Sequence, residues 1–222
     1  MGFQRARSAE QREERRRAIL GTAEAMLREA PVADLTLTAL ARRSCLAKSA
    51  VLRYFDSREA VLLELLVAEW QTLLADLAER LPAAVTADDP AARREELAGA
   101  LAEALAGRPV LCDLAAAQAA VLERNVSPEV VARFKRTAIA ATEELADLVR
   151  ARLPELPAES AFAFAGALAL TTGALWAHAQ PSAAMLAAYD SDPELAALRP
   201  DFTGTLRELL AVLLAGLVAR SR

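Results

Sequence analysis

Apolar residues in this chain recur three and four positions apart through most of its length, and the every-second-residue alternation of a strand is nowhere sustained. The period first appears from about Ala9 to Glu29, where Ile19, Ala23, Met26, Leu27 and Ala30 share one face, and Pro31 ends it. Two short segments follow. Thr36 is placed to cap a helix whose apolar positions are Leu37, Leu40 and Ala41, and a second helix begins near Ala47 or Lys48 with Val51 and Phe55 turned inward. Asp56 or Ser57 then caps a long helix from about Arg58 to Leu81, in which Val61, Leu65, Ala68, Leu73 and Leu77 keep the helical period until Pro82. Pro90 opens a helix to about Gly107, Pro109 one to about Arg124, and Ser127 with Pro128 one to Leu153. Two strongly apolar helices close the chain, about Ala158 to Ala179 and Phe202 to Arg220, separated by a loop with helical turns around Ala183 to Tyr189. No internal repeat interrupts this order, so the expected class is all-α.

The most informative stretch runs from Leu35 to Glu59. Two short helices joined by a tight turn read as a helix-turn-helix. With Val51 and Phe55 inside, Lys48, Ser49, Ala50, Leu52, Arg53 and Tyr54 are left on or near the outer surface. A helix bearing small, polar and cationic side chains suits the major groove of DNA, which is just wide enough to admit it.

These residues resemble the DNA-binding motif of the tetracycline-repressor (TetR) family of bacterial transcriptional regulators. Its pattern, roughly T-x-x-x-I-A-x-x-A-G-V-S-x-x-x-L-Y-x-Y/H-F-x-x-K-E-x-L, is met by Thr36, Leu40, Ala41, Ser44, Cys45, Leu46, Ala47, Val51, Leu52, Tyr54, Phe55, Arg58, Glu59 and Val61. Among the departures from it, the turn glycine is Cys45, the serine that starts the recognition helix is Ala47, and a tyrosine that commonly touches DNA is Leu52. The buried positions all stay apolar. Cys45 admits two readings, a small apolar substitute for glycine under left-handed strain or an oxidisable thiol at the turn.

The resemblance implies an N-terminal three-helix DNA-binding domain over residues 1–57 and a helical ligand-binding and dimerisation domain over residues 58–222. Thr38, Lys48, Ser49 and Ala50 are the expected base-edge contacts, with Leu52 offered to a thymine methyl. Thr36, Arg53, Tyr54 and Arg58 are better placed for phosphates. Family members enclose a pocket between the long linking helix and those after it, and the corresponding segments here supply Leu73, Leu77, Cys112, Gln118, Phe134, Thr137, Thr172 and Trp176. That lining suits an apolar or weakly polar effector, since it holds no cluster of cations for an anion.

Charge agrees with this division. The net charge of -4 is unevenly spread: residues 1–60 hold 12 Lys or Arg against 8 Asp or Glu, while residues 61–222 hold 14 against 22. Counterion release rewards cations only where DNA lies, so a basic N-terminal part on an acidic body fits a DNA-binding regulator. With 55% hydrophobic residues but only 5% aromatic, the helices are expected to pack through Ala and Leu. Two cysteines without a paired spacing fit a reducing cytosol, and the charged first twenty residues do not read as a signal peptide. Residues 161–177 form the one membrane suspect, read here as a buried helix because the run is short and rich in Ala, Gly and Thr.

The last two helices read as a homodimer interface. Gly166, Ala169 and Gly173 put small residues on one face of the first, and Leu209 to Ala219 is apolar nearly all round. By resemblance the partner would complete a four-helix bundle. Catalytic chemistry is sparse: His178 is the only histidine, adjacent carboxylates such as Glu95 with Glu96 point apart on a helix, and no phosphate loop occurs. No enzyme activity, cofactor or metal is therefore expected. His178 itself reads as a core or interface residue. The expected function is a cytoplasmic, ligand-responsive repressor binding a pseudo-palindrome in double-stranded DNA as a dimer. The alternative is a helical dimerisation or adaptor protein that has lost specific DNA binding.

Overall fold

A computed structural model of the chain describes the backbone of residues 2–220 and the side chains of residues 10–220. Met1, Ser221 and Arg222, the outermost ends of the two expected domains, lie outside the described residues. All regular structure among the described residues is helical. In chain order the helices are α1 (Gly2–Leu27), α2 (Leu37–Arg43), α3 (Lys48–Val51), α4 (Arg58–Ala84), α5 (Pro90–Ala106), α6 (Pro109–Ala117), α7 (Pro128–Arg152), α8 (Ala158–Ala179), α9 (Ala183–Ser191), α10 (Pro193–Ala196) and α11 (Phe202–Arg220). A 3₁₀ turn at Val32–Asp34 joins α1 to α2, and a π-helical turn at Gln118–Leu122 follows α6.

The ends are set by side chains the sequence supplies. Thr36, Asp89 and Ser182 accept from Ala39, Ala92 and Met185 backbone N–H groups, at 3.1, 2.8 and 3.3 Å. Ser57, rather than Asp56, takes the first turn of α4, accepting from Ala60 N–H at 3.1 Å. α4 also runs past Pro82: Val85 N–H reaches the Leu81 carbonyl at 3.0 Å, so the last turn survives with one backbone donor missing.

The chain divides into two compact units. The first holds residues 1–68 together with 117–135, and the second holds residues 69–116 and 136–222. In the first unit Ile19, Ala23, Leu27, Val32, Leu35, Leu40, Ala41, Val51, Phe55, Val61 and Leu65 are buried, each less than a tenth exposed. This is the helical period made into a core, although Met26 is only half-covered and Ala30 and Ala68 are exposed.

In the second unit α11 packs on both α5 and α8, burying Leu206, Leu210, Ala211, Leu214 and Val218 against Leu97, Leu101, Leu105, Phe164 and Leu168 as its core. Trp176 meets Phe202 edge-on with ring centroids 5.0 Å apart. Gly173 faces inward: a Cβ there would lie 2.8 Å from the Ala115 carbonyl oxygen on α6. The small residue thus admits the chain's own backbone, not a partner's as the stripe with Gly166 suggested. Gly173→Ala should destabilise the second unit by about 1–3 kcal/mol, because the atom that must yield is backbone. Thermal unfolding followed by calorimetry checks this; an unchanged midpoint would mean that α6 and α8 separate at little cost.

Helix α8, read from the sequence as a buried helix, is covered by its own chain along one stripe only. α11 buries one stripe only, and Leu209 (41%), Val212 (58%), Phe162 (42%) and Leu170 (78%) on the two helices remain exposed. By length and composition both α8 and α11 are apolar enough to cross a membrane, so residues 161–177 are not the single candidate the sequence suggested.

Candidate nucleic-acid interface

The helix-turn-helix is built from α2, a turn at Ser44–Ala47 and α3. Leu40 and Val51 are fully buried and Phe55 is 2% exposed, which orients the two helices around one apolar contact. Only Lys48–Val51 is α-helical, shorter than the period implied. Beyond it Arg53 and Tyr54 N–H groups reach back three residues, to the Ala50 and Val51 carbonyls at 3.2 and 2.9 Å, so the segment tightens into 3₁₀-like turns. Phe55 N–H returns to the Val51 carbonyl at 3.1 Å and carries the ring into the core.

The turn contains Cys45 at φ 54°, the positive-φ residue that is not glycine among those described. The left-handed conformation costs a side-chain-bearing residue on the order of 1–2 kcal/mol, which explains why a glycine suits this slot. Cys45→Gly should stabilise the chain by about 0.5–1 kcal/mol, the strain relief being offset in part by greater unfolded-state entropy. Chemical denaturation is the measurement, and a loss of stability would show that Cys45 makes compensating contacts. The thiol is exposed. Cys112 behaves oppositely: buried and donating to the Leu105 carbonyl at 3.3 Å, its pKa is pushed up to about 12 by burial and by the nearby Asp113 carboxylate.

Ala47 stands at the N-cap of α3 without a side-chain acceptor. Ala47→Ser restores the missing oxygen and should add about 1 kcal/mol of stability, read from the same denaturation curves. If it adds nothing, the first turn of α3 is already satisfied by water.

The candidate contacts fall into two groups. Thr36, Thr38, Lys48, Ser49, Leu52 and Arg53 are exposed, and Ala50 and Tyr54 are half-covered. Leu52, at 42%, is a large apolar side chain held in solvent beside Lys48 and Arg53, where the family pattern carries tyrosine. Arg58 is different. Its Nε donates to the Leu35 carbonyl and a terminal nitrogen to the Val32 carbonyl, while the other lies 3.4 Å from Glu59. The side chain expected to meet phosphate is turned inward, 19% exposed, and fastens the 3₁₀ turn and the start of α2 to α4. Its planar fork can hold two carbonyls at once, a task a helical wheel does not reveal.

Three further arginines shape this face. Arg43 forms a two-pronged pair with Glu29, whose carboxyl is held below its ordinary value by that hydrogen bond. Arg12 and Arg16 of α1 reach the carbonyls of Arg53 and Tyr54. Two arginines four apart share one face of α1, and that spacing was the available signal.

The eight candidate ligand residues do not gather in one unit. Leu73, Leu77, Cys112, Thr137, Thr172 and Trp176 belong to the second, Gln118 and Phe134 to the first. Thr172 donates to the Leu168 carbonyl at 2.8 Å, and Gln118 donates to Glu123 at 2.8 Å. An open cleft of about 460 Å³ lies elsewhere in the second unit, lined by His178, Gln180, Ser182, Met185, Tyr189 and Leu198 among others, and by none of the eight. His178 is exposed at its rim, not in the protomer's core.

Residues 19–65 match the family described as bacterial regulatory proteins, tetR family, and residues 67–221 match the family described as tetracyclin repressor-like, C-terminal domain. Solved structures of the same fold include the TetR family repressor AlkX from a Dietzia strain, implicated in n-alkane biodegradation. It is 14% identical with a TM-score of 0.51, the alignment covering 91% of this chain and 96% of that one. The regulator FadR from Bacillus subtilis, in complex with stearoyl-CoA, is 15% identical with a TM-score of 0.51 and coverage of 87% and 96%. A TetR-family regulator from Pectobacterium atrosepticum is 20% identical, again at 0.51, covering 93% and 95%. No curated protein matches the chain. At these identities the likeness to the solved structures is one of fold.

Proposed function

The chain belongs to the TetR family of bacterial regulatory proteins, and from that premise we propose that it is a cytoplasmic, ligand-responsive repressor that binds a pseudo-palindromic operator as a homodimer. The observation that carries the reading is the exposed row of Lys48, Ser49, Leu52 and Arg53, held outward because Val51 and Phe55 are locked inside. Thr38, Lys48, Ser49 and Ala50 would meet base edges, Leu52 a thymine methyl, and Thr36, Arg53 and Tyr54 phosphates. Arg58 is reassigned from phosphate contact to holding the motif together.

The dimer is supported by the apolar side chains that α8 and α11 leave in solvent, and these helices are assigned to a subunit interface in preference to a membrane. The proposed effector is apolar or weakly polar and binds in the second unit among Leu73, Leu77, Cys112, Thr137, Thr172 and Trp176. It would act through α4, since a ligand shifts an equilibrium only by binding one conformation better than the other. The residues would then fall into residues 1–57 for DNA and 58–222 for effector and partner.

The deciding experiment is fluorescence anisotropy of the purified protein on DNA from around its own gene, across a salt series. Salt-dependent, sequence-selective binding is expected. A dimer without it would favour an adaptor that has lost DNA recognition.

A further inference from the structure

Arg16 of α1 sits at the far end of the recognition segment and makes three kinds of contact. Its Nη1 donates to the Tyr54 carbonyl at 2.6 Å, its guanidinium lies 4.5 Å from the centre of the Phe55 ring, and its Nη2 donates to the Glu64 carboxylate on α4. Arg133, in the second turn of α7, approaches the same Glu64 Oε1 at 3.5 Å. Arg12 supports the arrangement from one turn earlier, donating to the Arg53 carbonyl at 3.3 Å. All of these residues fall within the first unit. Carbonyls at the end of a helical segment have no partner in the segment itself, so cationic donors brought from another helix decide how that end is held.

Glu64 is the node of the cluster. It and Arg16 are about a quarter exposed, at 23% and 25%, whereas Arg133 is 60% exposed. The groups that face its carboxyl are Arg16, Arg133 and, with the opposite effect, Glu13. Burial nevertheless pushes the Glu64 carboxyl above its ordinary value, outweighing both guanidinium groups. A carboxyl raised in the folded state contributes stability that is present below its ordinary value and lost as pH rises through the folded one. Burial thus opposes ionisation of this mostly covered carboxyl, and the two guanidinium groups offset it only in part.

We infer that Glu64 is a positioning residue for DNA recognition: it fixes Arg16 on the Tyr54 carbonyl and ties the recognition segment to Arg133 at the start of α7. Its link to DNA rests on the regulator reading above. The hold on the segment does not. Without Glu64 the Arg16 side chain loses its anchor, and residues 51–55 can tilt against α1 and α4 while Lys48 and Arg53 keep their charges. A groove reader tolerates little such error, because its contacts need placement to about half an ångström.

Two readouts test this on the full-length protein. Hydrogen–deuterium exchange of the amides of residues 51–55 should quicken about tenfold in Glu64→Ala, with peptides from α8 and α11 unchanged. Affinity for a duplex selected from a random library by the wild type should fall about tenfold in Glu64→Ala and about threefold in Arg133→Ala, amounts fitting the loss of one charged hydrogen bond or less. Glu64→Gln keeps an acceptor for Arg16 and should stay near wild type in both. The sign is decisive, since a mere change of field would make removal of a negative charge strengthen DNA binding. The slope of affinity against salt should not change in Glu64→Ala, because no phosphate contact is lost. Wild-type exchange with equal or higher affinity in Glu64→Ala overturns the inference, as does a flattened slope. If the wild type binds no duplex, the regulator reading fails, and exchange alone decides whether Glu64 holds the segment. Should Glu64→Ala unfold, Arg133→Ala, altered at an exposed side chain, is read by exchange alone: amides of residues 51–55 should quicken about threefold, and wild-type exchange overturns the inference.

Discussion

Lys48→Ala combined with Arg53→Ala is expected to weaken operator binding by at least about a hundredfold at physiological salt and to leave the fold intact. Both side chains are exposed, so their removal should change stability by no more than about 0.5 kcal/mol. In a dimer each substitution occurs twice, and a base-edge contact is worth about 1–3 kcal/mol, which puts the combined loss well above one factor of ten. The two residues should also separate. Arg53→Ala alone should weaken all sequences alike and flatten the salt slope by about 2 in a dimer, one phosphate per half-site. Lys48→Ala should in addition change which base is preferred at its position. Anisotropy titrations over a salt series on operator and scrambled duplexes give all three quantities, and normal binding by the double variant would place the DNA contact elsewhere. Arg58→Ala belongs to another class: it releases two backbone carbonyls, so it should lower stability before it alters any salt slope.

Periodicity reads which side of a helix is covered, but not what covers it. Val51, Phe55, Leu40 and Ala41 were legible as core because spacing of three and four leaves one continuous stripe, and they are buried. Cys45 was legible as a strained turn residue because the glycine slot is a backbone requirement, and its φ is 54°. Charges were not legible in this way. Arg12, Arg16 and Arg58 look like any solvated arginine on a helical wheel, yet Arg16 meets a carboxylate 48 residues away and Arg58 a carbonyl 26 residues away. Such pairings depend on tertiary approach, which spacing along one helix cannot encode. The same limit applied to Gly173: a small residue announces that a backbone comes close, and only the packing of α8 on α6 says whose backbone it is. Lining residues for a cavity suffer most, since the pattern that builds a pocket wall is also the pattern that fills a core, and the eight candidates divide between the two units.

Leu170→Arg is expected to dissociate the homodimer while leaving the protomer folded, and it tests the interface better than any substitution in the middle of α11. Leu213 is half-covered by its own chain, so a charge there would confuse misfolding with dissociation. Leu170 is 78% exposed in the protomer and Val212 is 58%, so an arginine at Leu170 costs the isolated chain little. In a two-fold interface the same residue enters from both sides, and each new guanidinium would lie against the apolar side chains that α8 and α11 leave exposed. Burying an unpaired charge in such a place costs about 3–5 kcal/mol, so two should weaken dimerisation by at least about a thousandfold. Light scattering at micromolar concentration should then report a monomer with the helical circular dichroism of the wild type, whereas Leu170→Ala should remain dimeric. Operator affinity should collapse together with the dimer, because a single recognition helix cannot hold two half-sites a helical turn apart. A wild type that is already monomeric, or a Leu170→Arg protein that is still dimeric, would remove α8 from the interface and leave its exposed apolar face to be covered by something else.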